Sequence, residues 1–140
     1  MLEKIELVLE ENDLIKIINK LDKIIDKKES IVLLRGDLAS GKTTLVKNYV
    51  KFLEIDDLVT SPTFSIQTIY GENIYHYDVY NKTLEEFISL GLLEEFEKEG
   101  IHFVEWGDDR LNELLNSYGF HTIKIDIEKL ENKRRYIINA

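Results

Sequence analysis

The residues best placed to do chemistry are Gly36-Asp37-Leu38-Ala39-Ser40-Gly41-Lys42-Thr43. They fit G-x-x-x-x-G-K-[ST] at every fixed position, with an apolar run before them (Ile31-Val32-Leu33-Leu34) and a helix-forming run after them (Leu45 to Leu53). Gly36 and Gly41 let the backbone turn tightly, so that successive N–H groups point inward at a phosphate chain. A helix starting near Lys42 adds its unpaired N–H groups and about half a positive charge at its N-terminus. Lys42 can reach the β- and γ-phosphates, and the Thr43 hydroxyl is placed to hold Mg²⁺. The stretch therefore reads as a nucleoside-triphosphate site, with Asp37, Leu38, Ala39, Ser40, Gly41, Lys42, Thr43 and Thr44 around the nucleotide.

Phosphate chemistry also needs an acid at a strand end near Thr43, to fix Mg²⁺ or its waters, and a group that orients the attacking nucleophile. Two residues qualify. Asp78 ends the strand-like Ile74-Tyr75-His76-Tyr77, and Glu105 ends Ile101-His102-Phe103-Val104, which has the composition of a buried central strand. How the two divide the work is left open by the sequence. Ser61-Pro62-Thr63 holds the chain's one proline and reads equally as a switch segment reaching the γ-phosphate or as a plain proline turn. Trp106 is expected to be half core and half pocket wall. His76 and His102 are expected to be packed on their strands, and no metal-ligand spacing links them. Lys133-Arg134-Arg135 reads most simply as a solvated turn, with nucleotide or RNA contact as the minority reading.

These residues need elements to hold them. Lys4 to Leu9 alternates as a strand does. Asn12 or Asp13 can cap a helix whose apolar positions are Leu14, Ile17, Ile18, Leu21, Ile24 and Ile25. A strand over 31–35 leads into the phosphate loop, and the helix after it is expected to bury Leu45, Val46, Tyr49, Val50 and Leu53. Phe64 to Tyr70 and Ile74 to Tyr77 form a hairpin around Gly71-Glu72-Asn73. Thr83-Leu84-Glu85-Glu86 is a capping box opening a short helix, and Leu92, Leu93 and Phe96 mark another turn or two. Leu111, Leu114 and Leu115 mark a further helix. Two closing strands, one from Phe120 through Ile127 and one over Tyr136 to Ile138, meet at a turn over Glu131-Asn132-Lys133. The sum is a three-layer α/β, P-loop NTPase-like fold. Its mixed central sheet has parallel strands around the loop and antiparallel hairpins at the edges.

At 140 residues this is one expected domain, spanning 1–140. No apolar run approaches the roughly 20 residues of a membrane span, Met1 is not followed by a signal peptide, and there is no cysteine. A disulfide framework, a zinc–thiolate cluster and a thiol nucleophile are excluded, and a cytoplasmic location with no membrane partner is expected. The net charge of −9 opposes tight, direct binding of tRNA. It is unevenly spread: residues 82–116 hold ten acids and three bases, and residues 117–140 hold three acids and five bases.

Taken together, Gly36-Asp37-Leu38 leading into Gly41-Lys42-Thr43-Thr44, then Ser61-Pro62-Thr63-Phe64, His76-Tyr77-Asp78-Val79-Tyr80 and Glu105-Trp106 resemble the bacterial TsaE (YjeE) family in order and spacing. That family is the small ATPase component of the machinery that makes threonylcarbamoyladenosine in tRNA. The resemblance covers nearly the whole chain. It implies ATP as substrate, phosphate binding by Lys42, Mg²⁺ ligation by Thr43 with Glu105 close to the metal, hydrolysis dependent on Asp78 and Glu105, and Trp106 beside the nucleotide. It also implies assembly with the tRNA threonylcarbamoyl transferase subunit and its non-catalytic paralogue. The chain departs from the family's usual pattern at Ala39-Ser40 (commonly Gly-Ala), at Asn81 (commonly arginine), and at Asn12 and Asp13, where a hydroxyl residue often lies beside the adenine.

The expected function is a Mg²⁺-dependent ATPase, slow alone, that couples energy to partners. A small-molecule kinase is the competing enzyme reading, and a non-hydrolysing nucleotide scaffold is the competing interaction reading. Radiolabelled ATP separates the three by the fate of its phosphate.

Overall fold

Strand β2 (Glu29–Arg35) buries every residue from Ser30 to Leu34, so it needs cover on both faces. The computed structural model, which describes residues 4–37, 40–56 and 66–140 and of Glu11 only the backbone, supplies that cover with two helical layers. Leu38 and Ala39 of the phosphate loop, and Ser61-Pro62-Thr63 with Phe64, lie outside the described residues.

β2 pairs in parallel with β5 (Gly100–Glu105) on one side and β6 (Thr122–Leu130) on the other. Beyond β5 come β4 (Ile74–Asp78), parallel to it, and β3 (Gln67–Tyr70), antiparallel at the edge. Beyond β6 come β7 (Lys133–Asn139) and β1 (Lys4–Leu9), both antiparallel. The order β1-β7-β6-β2-β5-β4-β3 is the expected mixed sheet, parallel at its centre and antiparallel at both edges.

Alternation along the strands divides the core. Val32, Leu34, Ile101, Phe103, Ile123 and Ile125 pack beneath α1 (Leu14–Ile24) and α2 (Lys42–Phe52). Ile31, Leu33, Tyr77 and Val104 pack on the other face beneath α3 (Leu84–Ser89), α4 (Leu92–Glu95) and α5 (Asp109–Ser117). This is the three-layer α/β architecture the sequence implies.

Local detail follows the sequence with three corrections. The α1 stripe buries Leu14, Ile17, Ile18, Leu21 and Ile25 as expected, but neither Asn12 nor Asp13 caps the helix with its side chain. A 3-10 turn over Glu11–Asp13 leads in instead, with the Asp13 N–H donating to the Glu10 carbonyl. The strand expected from Phe120 begins at Thr122, because Phe120 is used in the turn after α5, where its N–H donates to Leu115 O. The run at Lys133 starts β7 rather than ending a solvated turn. The Thr83–Glu86 capping box is present in both directions.

Candidate functional site

Three consecutive parallel strands, β2, β5 and β4, end together. Leu34 is level with Glu105, and Glu105 is level with Asp78. The phosphate loop leaves the same edge after Arg35, so the register brings both acids beside the loop. In open α/β sheets this carboxyl edge is where ligands bind.

The loop is fixed by sterics and by its lysine. Gly36 has φ of +152°, and a Cβ there would lie 2.5 Å from the Ile127 carbonyl oxygen and 2.6 Å from Ser40 Oγ. No residue with a side chain fits. Gly41 takes the N-cap of α2 at φ of +112° with no side-chain cap, so the helix's leading N–H groups are not consumed by a capping side chain. Lys42 is buried and its ammonium donates to the carbonyls of Gly36 (2.8 Å) and Asp37 (3.0 Å). It also lies 3.8 Å from the centroid of the Trp106 ring. Burial pulls this ammonium below its ordinary pKa, and the carboxylates of Glu105, Asp78 and Asp37 push it back up.

The Trp106 ring reaches Lys42 because its backbone turns sharply, at φ of +70°. That is a costly conformation for a bulky residue, on the order of 1–3 kcal/mol. The turn is held by the Trp106 N–H donating to Leu34 O at 2.9 Å and by the Tyr80 ring 4.8 Å from the indole. Partly buried against the core, Trp106 lines cavities on both of its sides, which fits the expected half-core, half-wall role.

Glu105 is 4% exposed, and its Oε2 accepts two hydrogen bonds, from Thr43 Oγ1 at 2.8 Å and from His76 Nε2 at 2.5 Å. The other ring nitrogen of His76 lies 3.1 Å from the Tyr70 hydroxyl. Asp78 is less buried, and its Oδ1 accepts from the Tyr80 N–H at 3.0 Å, shaping the turn that follows β4. The Thr43 hydroxyl and the Glu105 carboxylate meet here, with Asp78 level on the next strand, and all three are hard oxygen donors of the kind Mg²⁺ takes. Among the described residues no three or more His, Cys, Asp or Glu side chains are grouped to hold a metal. Mg²⁺ commonly binds through one or two carboxylates together with substrate phosphates, so the donor set fits it.

Of the expected nucleotide residues, Asp37, Ser40, Gly41, Lys42, Thr43, Thr44 and Trp106 cluster at this edge, and Leu38 and Ala39 fall outside the described residues. Thr44 and Gly41 line a cavity of about 270 Å³ with Leu14, Asn132, Arg134 and Tyr136. The start of the first helix thus does adjoin the loop, through Leu14 rather than Asn12 or Asp13.

Three arginines make contacts that no local sequence pattern signals. Arg134 Nε donates to the Ser40 carbonyl at 2.8 Å, tying β7 to the loop. Arg135 pairs with Glu128 (2.7 Å) and Glu6 (3.4 Å), so two of the three residues in that basic run are engaged rather than simply solvated. Arg35 grips Asp126 of β6 (2.9 Å) and Asp109 of α5, and its bond to Asp126 raises its pKa further. The His76–Glu105 bond had one sequence signal. The period of two puts His76 on the same face as Asp78, but nothing local says that β5 lies alongside. His76 is packed, as expected, and is also a partner of Glu105.

Comparison with known proteins agrees with this geometry. The family model described as "Threonylcarbamoyl adenosine biosynthesis protein TsaE" matches residues 8–137. The chain is 36% identical over 114 residues to the tRNA threonylcarbamoyladenosine biosynthesis protein TsaE of Treponema pallidum (strain Nichols), spanning 79% of this chain and 82% of that protein. With the protein of the same description from Bacillus subtilis (strain 168), it shares 42% identity over 79 residues, 54% of this chain and 49% of the other. The crystal structure of Bacillus subtilis YdiB superposes with a TM-score of 0.73 at 27% identity, covering 100% of this chain and 87% of that one. The fold is of the P-loop NTPase type.

Proposed function

The chain belongs to the TsaE family of threonylcarbamoyl adenosine biosynthesis proteins, and from that premise we propose that it is a Mg²⁺-dependent ATPase serving threonylcarbamoyladenosine modification of tRNA. It acts in the cytoplasm with the threonylcarbamoyl transferase subunit and that subunit's non-catalytic paralogue. It makes no tight contact with tRNA itself, since a net charge of −9 opposes a polyanion.

The observation that carries this reading is the hydrogen bond from Thr43 on the phosphate-loop helix to buried Glu105, with Asp78 level with Glu105 on the next strand. Loop N–H groups and the leading end of α2 receive the phosphates, and the Lys42 ammonium leans toward them from its perch on the loop carbonyls. Because the Thr43 proton is given to Glu105, the hydroxyl offers oxygen lone pairs rather than a proton to a cation. Thr43 and Glu105 would hold Mg²⁺, directly or through its waters. When bound, the ion neutralises charge that builds on the β- and γ-phosphate oxygens. Asp78, closer to solvent, orients the attacking water and takes up its proton. Trp106 walls the phosphate end and excludes water from Lys42. The cavity over Thr44, Gly41 and Leu14 receives the nucleoside.

The test is γ-labelled ATP with Mg²⁺ and the purified chain. Release of free phosphate supports hydrolysis. Label on a second small molecule would make the chain a kinase, and nucleotide kept intact would make it a scaffold.

A further inference from the structure

Glu105 is a carboxylate in the core, and its position matters to any cation near Thr43. A buried carboxylate needs hydrogen-bond partners, and the ones it has decide where its oxygens point. Thr43 alone would not fix it, because a single hydroxyl on a rotatable side chain can follow the carboxylate as it swings. His76 cannot follow. Its ring is fully buried on β4, one strand over, with Nε2 2.5 Å from Glu105 Oε2 and Nδ1 3.1 Å from the Tyr70 hydroxyl on β3. Tyr70 is 2% exposed and its ring also leans on the imidazole, with centroids 5.8 Å apart. A carboxylate oxygen that already accepts from Thr43 takes its second bond from Nε2–H, and Nδ1 faces the Tyr70 hydroxyl.

We propose that His76, itself held by Tyr70, is a positioning residue that locks Glu105 in the orientation receiving Thr43. The proposal rests on the reading that Thr43 and Glu105 hold the cation of a Mg-nucleotide. Three strands, β3, β4 and β5, thereby act through one row of side chains on one helix of the loop. Outer partners of this kind commonly tune metal affinity or activity by about 10–100-fold.

The experiment uses the full chain and three variants: His76→Phe, which keeps a planar ring without donors; His76→Gln, whose amide can return a donor to Glu105; and Tyr70→Phe. Nitrogen-15 NMR of the unliganded protein reads the imidazole directly. The expected spectrum has Nε2 protonated, and a ring with Nε2 bare overturns the proposal. Calorimetry with ATPγS, with and without Mg²⁺, then separates positioning from folding. His76→Phe is expected to leave Mg²⁺-free nucleotide affinity within about twofold and to cut the gain from Mg²⁺ by about tenfold or more. His76→Gln should recover part of that gain, and Tyr70→Phe should lose several-fold. Should His76→Phe prove unfolded, Tyr70→Phe and His76→Gln carry the same test. A wild-type gain from Mg²⁺ in the folded variants, or equal losses with and without Mg²⁺, overturns the positioning role. A wild-type chain that binds no nucleotide would instead sink the functional reading, and the NMR tautomer still decides how Glu105 is anchored.

Discussion

The ammonium of Lys42 sits 3.8 Å from the centre of the Trp106 ring, so the lysine of the phosphate loop and the chain's only tryptophan report on each other. Lys42→Ala is expected to weaken ATP binding by about 1.5–3 kcal/mol, the worth of a charge-assisted contact. It should also shift Trp106 emission before any nucleotide is added, because the cation leaves the ring face. Calorimetry and intrinsic fluorescence read the two effects. Unchanged ATP affinity in the variant would remove the loop from the site.

Asp78→Asn and Glu105→Gln are each expected to abolish phosphate release, and they should differ in stability. Glu105→Gln alters a buried acceptor shared by Thr43 and His76, so a loss of about 1–3 kcal/mol is expected. Asp78 is less buried and its carboxylate holds one turn N–H, so Asp78→Asn should cost less than about 1 kcal/mol. Urea unfolding beside a phosphate-release assay separates chemistry from folding. Retained turnover in either variant would return that acid to a structural role.

The two glycines of the loop should not respond alike. At Gly36 an added Cβ meets backbone and a buried serine within 2.6 Å, whereas at Gly41 the nearest atom is Arg134 Nε at 3.8 Å. Gly36→Ala combines overlap with backbone strain and should destabilise by about 2–4 kcal/mol. Gly41→Ala meets strain alone, about 1–2 kcal/mol. Denaturant midpoints compare them. Equal midpoints would show that the Ile127 strand moves aside at little cost.

The fold and the loop were legible in sequence because their signals are local. Periodicity located the α1 stripe, alternation placed β1, and the glycine spacing marked the loop between an apolar strand and a helix. Both acids were found at strand ends, and the register of β4 and β5 then put them level with each other. The contacts that local sequence does not reveal join partners far apart along the chain. Arg134 reaches Ser40 across 94 positions, Arg35 reaches Asp126 across 91, and His76 meets Glu105 across 29. A one-dimensional pattern says that such residues are polar and on strands, and it does not say which strands become neighbours. The missing cap on α1 has another cause. Asn12 and Asp13 have capping chemistry, but the chain entered the helix through a 3-10 turn that satisfied the backbone without them.

A second tyrosine–histidine pair lies on the opposite face of the sheet and predicts how stability follows pH. His102 is 1% exposed, its Nε2–H donates to Lys98 O at 2.8 Å, and Tyr77 donates its hydroxyl to Nδ1 at 2.7 Å. Tyr75 stacks on the ring at 4.4 Å, and Glu95 and Lys98 are the charged groups nearby. Burial holds this imidazole below its ordinary pKa, which outweighs the smaller opposing pulls of Lys98 O and Glu95. A base with a lowered folded pKa is protonated first in the unfolded chain, so acid favours unfolding. Stability is therefore lost as pH falls below about 6.5, with a slope of up to about 1.4 kcal/mol per unit until the folded ring protonates. His102→Gln should be less stable at pH 8 and should show a shallower fall between pH 7 and pH 5.5. Parallel curves for the two proteins would discount His102 as the source.

Hydrolysis under the control of partners is the remaining expectation, and the arginines argue for it. Slow P-loop sites are accelerated by about 10³–10⁵ when an arginine reaches the transferred phosphoryl group. Here Arg35 is spent on Asp126 and Asp109, Arg135 pairs with Glu128 and Glu6, and Arg134 is held at the Ser40 carbonyl on the β7 side of the loop. Arg110 lines a separate cavity with Lys82, Thr83 and Trp106. Asn81 brings no charge to the turn after β4 and sits at φ of +59°, a conformation that asparagine tolerates better than longer side chains. The surface over α3 and α4 is where such partners are expected to dock. Glu85, Glu94 and Glu97 are exposed there beside Ile88 and Leu90, which are 46% and 53% exposed. A partner bringing basic residues would find charge complementarity around an apolar centre. The chain alone should then release phosphate slowly, and adding the transferase and its paralogue should raise the rate by orders of magnitude. Glu85→Lys, Glu94→Lys and Glu97→Lys combined should leave the basal rate unchanged and raise the partner concentration needed for half-maximal stimulation, with the wild-type effect weakening as salt rises. Steady-state phosphate release against partner concentration reads all of this. A fast enzyme in isolation, or one indifferent to both partners, would mean that the chain supplies its own charge stabilisation.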